Sequence, residues 1–444
     1  MTHLSELLAT VYMHLPLYLL QELSQQREAG QTNGRFLHGA LLFADISGFT
    51  AMSERLTRLG LEGAEEISRI VNRYFGAMLT ILRRHQGQLV KFGGDALLGL
   101  FLEPRGADRA VLAAAGMQAA MADFREIATS QGTFALQMKI SLHAGRFFAA
   151  ELGTPQGMAY SLFGRDVNAT AVAETIATAG QIILDPPTLQ AVTLPCQVDP
   201  APQPPYLRLK QVTPQAIPFH QQVPPLPALG APTPAALRRI AASLDVLTPY
   251  LPAGLLARLA SDPSGKSVRG EHRLVAVLFA NIRGLGDVTD ALGPGAETRI
   301  TAVLNRFFVA MEKVIHHFGG VINKLDPYTD GDKLLAFFGA PLAHEDDAER
   351  AVRAALALQA AGAGLNQALP REAGLPRLRL QLQLGISLGY VFSGYVGTNW
   401  RHEYTVMGDE VNLAARLMAV AEPDSILVSS DVWRKVQAVF AMQP

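Results

Sequence analysis

The feature that most constrains the fold is an internal repeat, because the second half of the chain carries four motifs of the first half in the same order. LLFADISGFT (41–50) matches VLFANIRGLG (277–286), and GGDALLGLF (93–101) matches DGDKLLAFF (330–338). MKISLHAGRFFAAELG (138–153) matches QLGISLGYVFSGYVG (383–397), and FGRDVNATAVAETIA (163–177) matches MGDEVNLAARLMAVA (407–421). Two copies are too few for a solenoid, so the repeat predicts a pair of equivalent domains.

Proline separates the two copies, since most of the 27 prolines lie between Pro186 and Pro263. We therefore expect an N-terminal helical segment at 1–35, a first domain at 36–222, a Pro-rich and helical linker at 223–269 and a second domain at 270–444. The first domain continues into YLRLKQV after its last matched motif, whereas the second ends soon after SILVSS. We expect the second domain to be truncated at its C-terminal end.

Hydrophobic periodicity gives the order of elements in the first copy. It predicts a strand ending at Ile46, a helix over 53–85, the hairpin QLVKFGGDALLGLF, an Ala-rich helix over 107–128, the two strands FALQMKISLH and RFFAAELG, a helix over 166–179 and a strand at QIILD. This βαββαβ-type, ferredoxin-like order predicts an α+β fold, with one antiparallel sheet covered by helices in each domain.

Composition excludes several classes of protein. The 38 Lys and Arg residues balance 39 Asp and Glu residues, so the chain lacks the basic surplus of a general nucleic-acid binder. A single cysteine, Cys196, excludes a disulfide framework and a multi-Cys metal site, and is typical of a reducing cytoplasm. No apolar run reaches the length of a membrane span. We expect a cytoplasmic protein without a nucleic-acid partner or a membrane-spanning segment.

Two carboxylates of the first copy predict a phosphoryl-transfer site. Asp45 ends an apolar strand and Asp95 follows the Gly93-Gly94 turn of the hairpin, so they can lie on neighbouring strands. Two carboxylates that close repel each other unless a divalent cation lies between them, and Mg²⁺ prefers carboxylates together with substrate phosphates. The turn that follows Asp45 offers backbone N–H groups to phosphate oxygens at Ser47, Gly48, Phe49 and Thr50. The alternative is that Asp45 caps a helix and Asp95 belongs to an ordinary turn.

The motifs FADISGFT, KFGGDALL and VMGDEVNLAARL together resemble the class III adenylyl and guanylyl cyclases. The resemblance covers 36–190 and 270–438, and the tandem arrangement is most similar to the bicarbonate-responsive soluble adenylyl cyclases and their bacterial relatives. In that family the active site lies between two cyclase domains. The resemblance therefore implies an intramolecular pseudo-heterodimer, and we expect a monomer.

For the first copy, the resemblance implies the metal-binding half of the site. Asp45, Asp95 and the backbone carbonyl of Ile46 would hold two Mg²⁺ or Mn²⁺ ions, with Ca²⁺ possible at one position. Lys139 stands where the family places a basic residue on the triphosphate. The alternative for Lys139 is a surface lysine on an edge strand.

For the second copy, the resemblance implies the half of the active site that recognises the base and stabilises the transition state. Asn412 and Arg416 occupy the transition-state positions, and their i, i+4 spacing puts them on one helix face. Lys324, Thr405 and Val406 fall where the family recognises adenine. KLDPYTDGD is longer than the corresponding KFGGD, so the insertion could displace Lys324, and both Lys324 and Arg416 could instead be solvated surface residues.

The two copies have lost complementary residues. Copy two has Asn281 in place of Asp45 and Gln383 in place of Lys139, whereas copy one has Val172 in place of Arg416. These losses leave one complete composite site and one degenerate site. The degenerate site resembles the regulatory pocket of soluble cyclases and would include Lys91 and Val167.

Bicarbonate or another small anion is the effector that the resemblance implies for this pocket. The arginine of the mammalian pocket aligns with Ala171, however, which argues against a response to bicarbonate.

The sequence thus predicts an adenylyl cyclase that converts ATP to 3′,5′-cyclic AMP and pyrophosphate. A guanylyl cyclase is one alternative, although a guanine site in this family typically carries Glu and Cys at the base-reading positions. A diguanylate-type cyclase lacks support because GGDAL replaces that family's GG-(D/E)-E-F run. A non-catalytic pseudo-cyclase that senses a nucleotide or an anion is the third alternative.

Overall fold

The structure is a computed structural model that describes residues 2–23, 28–57, 59–218, 233–265, 270–398 and 400–443. The chain begins with two helices, α1 (Thr2–Met13) and α2 (Leu17–Leu23), separated at Pro16. The first domain then contains β1 (Asn33–Ser47), α3 (Phe49–Thr57), α4 (Leu61–Arg84), β2 (Gln88–Gly93), β3 (Ala96–Leu102), α5 (Gly106–Ala120), β4 (Ile127–Thr129), β5 (Gly132–Phe134), β6 (Gln137–Thr154), β7 (Gly157–Phe163), α6 (Arg165–Ile176), β8 (Ile182–Leu184), α7 (Pro186–Ala191), β9 (Cys196–Pro200) and β10 (Leu207–Val212).

Two linker helices, α8 (Pro234–Leu247) and α9 (Ala253–Ser261), lead into the second domain. That domain contains β11 (Glu271–Arg283), α10 (Asp287–Leu292), α11 (Glu297–His317), β12 (Val321–Tyr328), β13 (Gly331–Phe338), α12 (Asp347–Glu372), β14 (Gln381–Thr398), β15 (Arg401–Met407), α13 (Asp409–Val420), β16 (Ser425–Val428) and α14 (Ser430–Val436). No helix in the described ranges is long and apolar enough to cross a membrane.

The two domains have equivalent sheets. The first has the order β2-β3-β1-β6-β8-β10-β9 with β7 also paired to β6, and the second has the order β12-β13-β11-β14-β15 with β16 also paired to β14. Each sheet is antiparallel except that β8 pairs with β6, and β16 with β14, in parallel. The prediction of two α+β domains of one topology is confirmed.

Strand β1 is buried on both faces, which explains why its sequence is apolar without clear alternation. Ala40, Leu42 and Ala44 pack on the core beneath α4 and α5, whereas Leu37 and Leu41 pack on a second core with the N-terminal and linker helices. That second core also contains Leu335 and Phe337 of the second domain. The central strand of the first domain therefore contributes directly to the interface between domains.

Two equivalent hydrogen bonds join the domains. The Gly397 backbone N–H of β14 donates to Asn72 Oδ1 of α4 at 3.0 Å, and the Gly153 N–H of β6 donates to Asn305 Oδ1 of α11 at 2.6 Å. The asparagines occupy matching places in the sequences NRYF and NRFF. The domains are thus paired about an approximate twofold axis inside one chain.

Several predicted elements differ in extent. The helix predicted over 53–85 is two helices, α3 and α4, because Gly60 between them has a φ of 65°. The helix predicted over 107–128 ends at Ala120 and continues as a short 3₁₀ turn. The two strands predicted on either side of Gly145 form one strand, β6, because Gly145 stays extended and pairs with Gly39 of β1. Strand β7 has no counterpart among the predicted elements.

Candidate active site between the domains

The register of β1 and β6 positions the first candidate metal ligand. Asp45 lies directly opposite Lys139, and the Lys139 ammonium is 3.4 Å from Asp45 Oδ2. Lys139 also forms an ion pair with Glu174 of α6, and both side chains are largely shielded from solvent. Strand β6 lies between β1 and β8, so the alternative of a surface lysine on an edge strand at Lys139 is wrong.

The second carboxylate, Asp95, lies on the turn between β2 and β3 and is half-buried. Burial raises the pKa of Asp95, and the Asp45 carboxylate raises it further. Burial also raises the pKa of Asp45; Glu174 adds to the rise and Lys139 opposes it. The hairpin thus brings Asp95 within electrostatic reach of Asp45, as the sequence predicted.

These residues fit a divalent cation. Burial is the main cause of both raised pKa values; Glu174 adds to the rise at Asp45, and Asp45 adds to the rise at Asp95. A cation bound by the two carboxylates would favour their charged forms and offset this cost. No group of three or more His, Cys, Asp or Glu side chains placed to hold a metal occurs in the described ranges. A metal here would therefore be held by two carboxylates, the Ile46 carbonyl and substrate phosphates, the set that Mg²⁺ prefers.

The turn after Asp45 has the geometry expected of a phosphate-binding turn. Gly48 has a φ of 93°, and a side chain there would collide with the Ala135 carbonyl. Helix α3 starts directly after it at Phe49, so its first backbone N–H groups have no partners within the helix. Phe49 is buried, Ser47 is exposed, and the side chain of Thr50 lies outside the described part of the structure.

A narrow cleft brings the two halves together. Gly94 and Asp95 of the first domain face Gly408, Val411 and Asn412 of the second, and the cleft between them encloses about 10 Å³. A neighbouring cavity of about 230 Å³ shares part of the same wall. Asp95 and Asn412, distant in sequence, therefore line one space.

Helix α13 carries both predicted transition-state residues. Asn412 is half-buried at the cleft, and Arg416 is exposed one turn further along the helix. Arg416 makes no ion pair with any residue of the described ranges. The structure therefore positions Asn412 against Asp95 and leaves Arg416 at the surface of α13.

The insertion near Lys324 lengthens the hairpin and does not move the lysine. Lys91 pairs with Leu98 and Lys324 pairs with Leu335, and each lysine follows a bulge in its strand. Leu98 follows Asp95 by three residues in the sequence, and Leu335 follows Asp332 by three residues. The two lysines therefore occupy equivalent positions in their hairpins. The displacement of Lys324 that the insertion could have caused is therefore not observed.

The predicted base-reading residues lie beside the first domain. The Lys324 ammonium donates to the Phe92 carbonyl of β2 at 2.6 Å, so Lys324 is not a free surface lysine. Thr405 and Val406 are buried in β15, and the Thr405 hydroxyl donates to Asn323 Oδ1 at 3.4 Å. These residues lie outside the cleft that Asp95 and Asn412 line.

The degenerate site is filled by hydrogen bonds between its own residues. Asn281, at the position of Asp45, donates to Gln383 at 2.8 Å. Asn168 of the first domain, the counterpart of Asn412, donates to the Tyr328 carbonyl at 2.7 Å and also to the Gly331 carbonyl. Burial raises the pKa of Asp332, the counterpart of Asp95, to about 8. The ion pair of Asp45 and Lys139 in the candidate active site thus corresponds to a neutral hydrogen bond between Asn281 and Gln383 in the degenerate site.

Lys91 and Val167, the predicted anion-binding residues, are both buried. The Lys91 ammonium donates to the Leu325 carbonyl and lies 3.6 Å from Asp326 Oδ1. Val167 is completely buried. An anion at Lys91 would have to compete with these contacts.

Glu174 is a site residue that the sequence reasoning missed. It pairs with the predicted triphosphate lysine, Lys139, and adds to the repulsion at Asp45. The signal was present in the repeat, because the aligned motifs place Met418 of the second copy opposite Glu174. Within this aligned pair, the charge is confined to the first copy, the one predicted to bind the metal, and this indicates a role at its site.

Comparisons with known proteins agree with this arrangement. The model of the adenylate and guanylate cyclase catalytic domain matches residues 34–201 and again residues 268–443. Rabbit (Oryctolagus cuniculus) adenylate cyclase type 10 is 25% identical over 423 residues, covering 91% of this chain and 25% of the relative. An uncharacterised protein of Mycobacterium tuberculosis is 37% identical over 169 residues, covering 37% of this chain and 26% of that protein. The chain spans about a quarter of the length of these curated relatives.

Among solved structures, a class III adenylyl cyclase-like ATP-binding protein from Pseudomonas aeruginosa has a TM-score of 0.62 and 16% identity, covering 92% of this chain and 87% of that one. This likeness concerns the fold of the tandem pair. The two family matches, which together include most of the chain, show that it belongs to the adenylate and guanylate cyclase catalytic-domain family and carries that domain twice.

Proposed function

We propose that this chain is an adenylyl cyclase that converts ATP to 3′,5′-cyclic AMP and pyrophosphate at the single composite site between its domains. The observation that carries the proposal is the cleft in which Asp95 of the metal-binding copy faces Asn412 of the other copy. Class III cyclases depend on divalent metals, and the carboxylate pair fits such a cation. A pure binding module has no need for both halves of this set.

In the proposed reaction the ribose 3′-hydroxyl attacks the α-phosphorus in line, the bond to the β-phosphate oxygen breaks and pyrophosphate leaves. Two Mg²⁺ or Mn²⁺ ions bound by Asp45, Asp95 and the Ile46 carbonyl would lower the pKa of that hydroxyl and neutralise phosphate charge. We propose that the hydroxyl proton passes to water or to a phosphate oxygen, because none of the described side chains that line the cleft stands out as a dedicated base.

The protein's own residues position and stabilise the reacting groups. With a cation at Asp45 to neutralise its carboxylate, the Lys139 ammonium would be free to bind the triphosphate. The ion pair with Glu174 would keep that ammonium close to the site. Asn412 would hold the ribose, and Arg416 would reach the α-phosphate from the next turn of α13. The backbone N–H groups from Ser47 to Thr50 would bind phosphate oxygens.

Adenine is the proposed base because Lys324 can donate to a ring nitrogen and Thr405 can accept from the exocyclic amine, with Val406 beside them. The equal register of Lys324 and Lys91 supports this role, since the insertion leaves Lys324 in place. To bind the base, the Lys324 ammonium would have to break its hydrogen bond to the Phe92 carbonyl.

We propose that the second site does not catalyse the reaction. Asn281 and Gln383 form a neutral pair where a metal ligand is required, and Asn168 is bonded to the hairpin of β12 and β13. A regulatory anion near Lys91 and Val167 remains a testable part of the proposal. The test is to measure cyclase activity over a range of bicarbonate concentrations at fixed pH. Activity that does not change with bicarbonate would remove this part of the proposal.

The single cysteine fits a cytoplasmic location, and pairing within one chain fits a monomer. Sedimentation of the purified chain tests the second statement.

The decisive assay is the purified chain with ATP or GTP and Mg²⁺ or Mn²⁺, read for cyclic nucleotide. D95N should abolish turnover, whereas D332N, the same change at the equivalent position of the degenerate site, should leave it nearly intact. If both variants match the parent, the site assignment is wrong. If the parent binds ATP without turnover, the chain is a pseudo-cyclase.

A further inference from the structure

A second cavity between the domains shares no residue with the cleft that Asp95 and Asn412 line, although the predicted base-reading residue Lys324 is part of its wall. It measures about 350 Å³, and its wall includes Gly157 of the β6–β7 turn, Tyr250 and Leu255 of the linker, and Glu312 of α11. Residues of both domains and of the linker thus enclose it. Its volume falls within the range of pockets for small organic molecules, about 300–1,000 Å³.

The cavity contains an unpartnered carboxylate. Glu312 is 9% exposed, and it has no hydrogen bond or ion pair with any residue of the described ranges. Burial alone raises the pKa of Glu312 to about 7. A buried carboxylate without a partner destabilises a fold, so its retention in α11 calls for a ligand that satisfies it.

The two buried lysines nearby do not satisfy it. Lys91 is held by the Leu325 carbonyl and Asp326, and Lys324 is held by the Phe92 carbonyl. Neither lysine forms a hydrogen bond or ion pair with Glu312 in the described ranges. His316, one turn further along α11, also lines the cavity, and burial lowers its pKa, which favours the uncharged imidazole. No cationic side chain of the described residues is therefore paired with Glu312.

Part of the remaining wall is apolar and aromatic, and the polar side chains of the wall include His14, Gln156, His316, Asn323 and Glu403. Met158, Leu251, Leu255 and Phe308 line the space together with the ring of Tyr160. Such a wall suits the hydrocarbon body of a ligand, and an aromatic ring also attracts a cation. Glu403 also lines the cavity, but its carboxylate accepts from the Phe92 N–H and from Arg401. Glu312 is thus the carboxylate of this wall that has no partner in the described ranges, and apolar side chains lie beside it.

We propose that this interdomain cavity binds a small organic amine, with its ammonium group paired to Glu312 and its apolar body against the linker helices. Lys324 is shared with the proposed base-reading site, but the proposal is tested separately from the cyclase reaction, because binding can be measured without any turnover. Gly157 belongs to the site for a steric reason: a Cβ there would collide with Glu312 Oε1.

The test is calorimetric titration of the full chain with phenethylamine as the probe and 2-phenylethanol as its uncharged match. The parent should bind the amine at least about tenfold more tightly than the alcohol, because a charge-assisted bond in a buried site is worth more than a neutral one. E312Q should remove that preference, and G157A, whose Cβ would push the Glu312 carboxylate aside, should reduce it. E372Q, which changes an exposed glutamate, is the matched control and should bind as the parent does.

Three results would each overturn the proposal. They are no saturable binding of phenethylamine to the parent, equal affinity for amine and alcohol, and a preference for the amine that survives in E312Q. Far-UV circular dichroism of each variant shows that loss of binding is not loss of folding.

Discussion

Removing the Lys91 ammonium should uncouple the two domains. Lys91 belongs to β2 of the first domain, yet its partners Leu325 and Asp326 belong to β12 of the second. The side chains of Lys91 and Asp326 are 4% and 8% exposed, so water does not replace either partner. The perturbation is Lys91→Met, which keeps the length of the side chain and removes its charge.

The expected loss of stability follows from what is left unpaired. Breaking a buried ion pair by removing one partner costs about 3–5 kcal/mol, because the other charge stays buried alone. The Leu325 carbonyl adds little to this loss, since the Ser161 hydroxyl also donates to it at 2.8 Å. K91M should therefore lower the free energy of unfolding by about 3–5 kcal/mol.

Urea unfolding followed by tryptophan fluorescence measures the change, because Trp400 and Trp433 both report on the second domain. The double variant K91M/D326L should recover most of the loss, since it leaves no charge unpaired. K435M, at an exposed lysine, should stay within about 0.5 kcal/mol of the parent. A loss below about 1 kcal/mol for K91M, or a double variant no more stable than K91M, would refute the reasoning.

Three further outcomes are expected. R416A should lower kcat by at least about 100-fold with little change in KM, whereas R434A on an exposed face of α14 should not; equal kinetics for the two would contradict the role of Arg416. K324M should reduce the ratio of kcat/KM for ATP to that for GTP, and an unchanged ratio would place base selection elsewhere. D332N should remove a pH dependence of stability: the Asp332 pKa rises from 3.8 to about 8 on folding, so the parent loses stability as pH rises through that window. Urea unfolding at about pH 5 and about pH 9 should show parent and D332N converging at the lower pH, and parallel curves would contradict this expectation.

Most of the fold prediction came from the internal repeat. Each motif of one copy constrained the interpretation of the other, and the family match over both copies confirms the two equivalent domains. The strand ending near Asp45 and the hairpin around Gly93 follow from local patterns, because alternation and turn residues act within a few positions. The role of those residues in catalysis stays a prediction.

What the sequence did not predict depends on contacts between distant segments. Gly145 resembles a break in a strand until the ladder with Gly39 fixes it in extended form. The pairing of Lys139 with Glu174 requires α6 to pack beside β6, and no local pattern encodes that distance. The bonds from Asn168 to the opposite hairpin likewise form only when the two domains meet.

The matched bonds from Asn72 to Gly397 and from Asn305 to Gly153 have a consequence for how such a protein can change. A homodimer consists of two identical chains, so each mutation changes both of these bonds or both active sites at once. Joining the copies in one chain frees each member of a pair to mutate alone. The two copies carry the same asparagine where the domains are held together, whereas Asp45 and Asn281 differ at the position proposed to bind a metal. A single chain with two copies can thus keep one pairing bond on both sides while its two sites differ in charge.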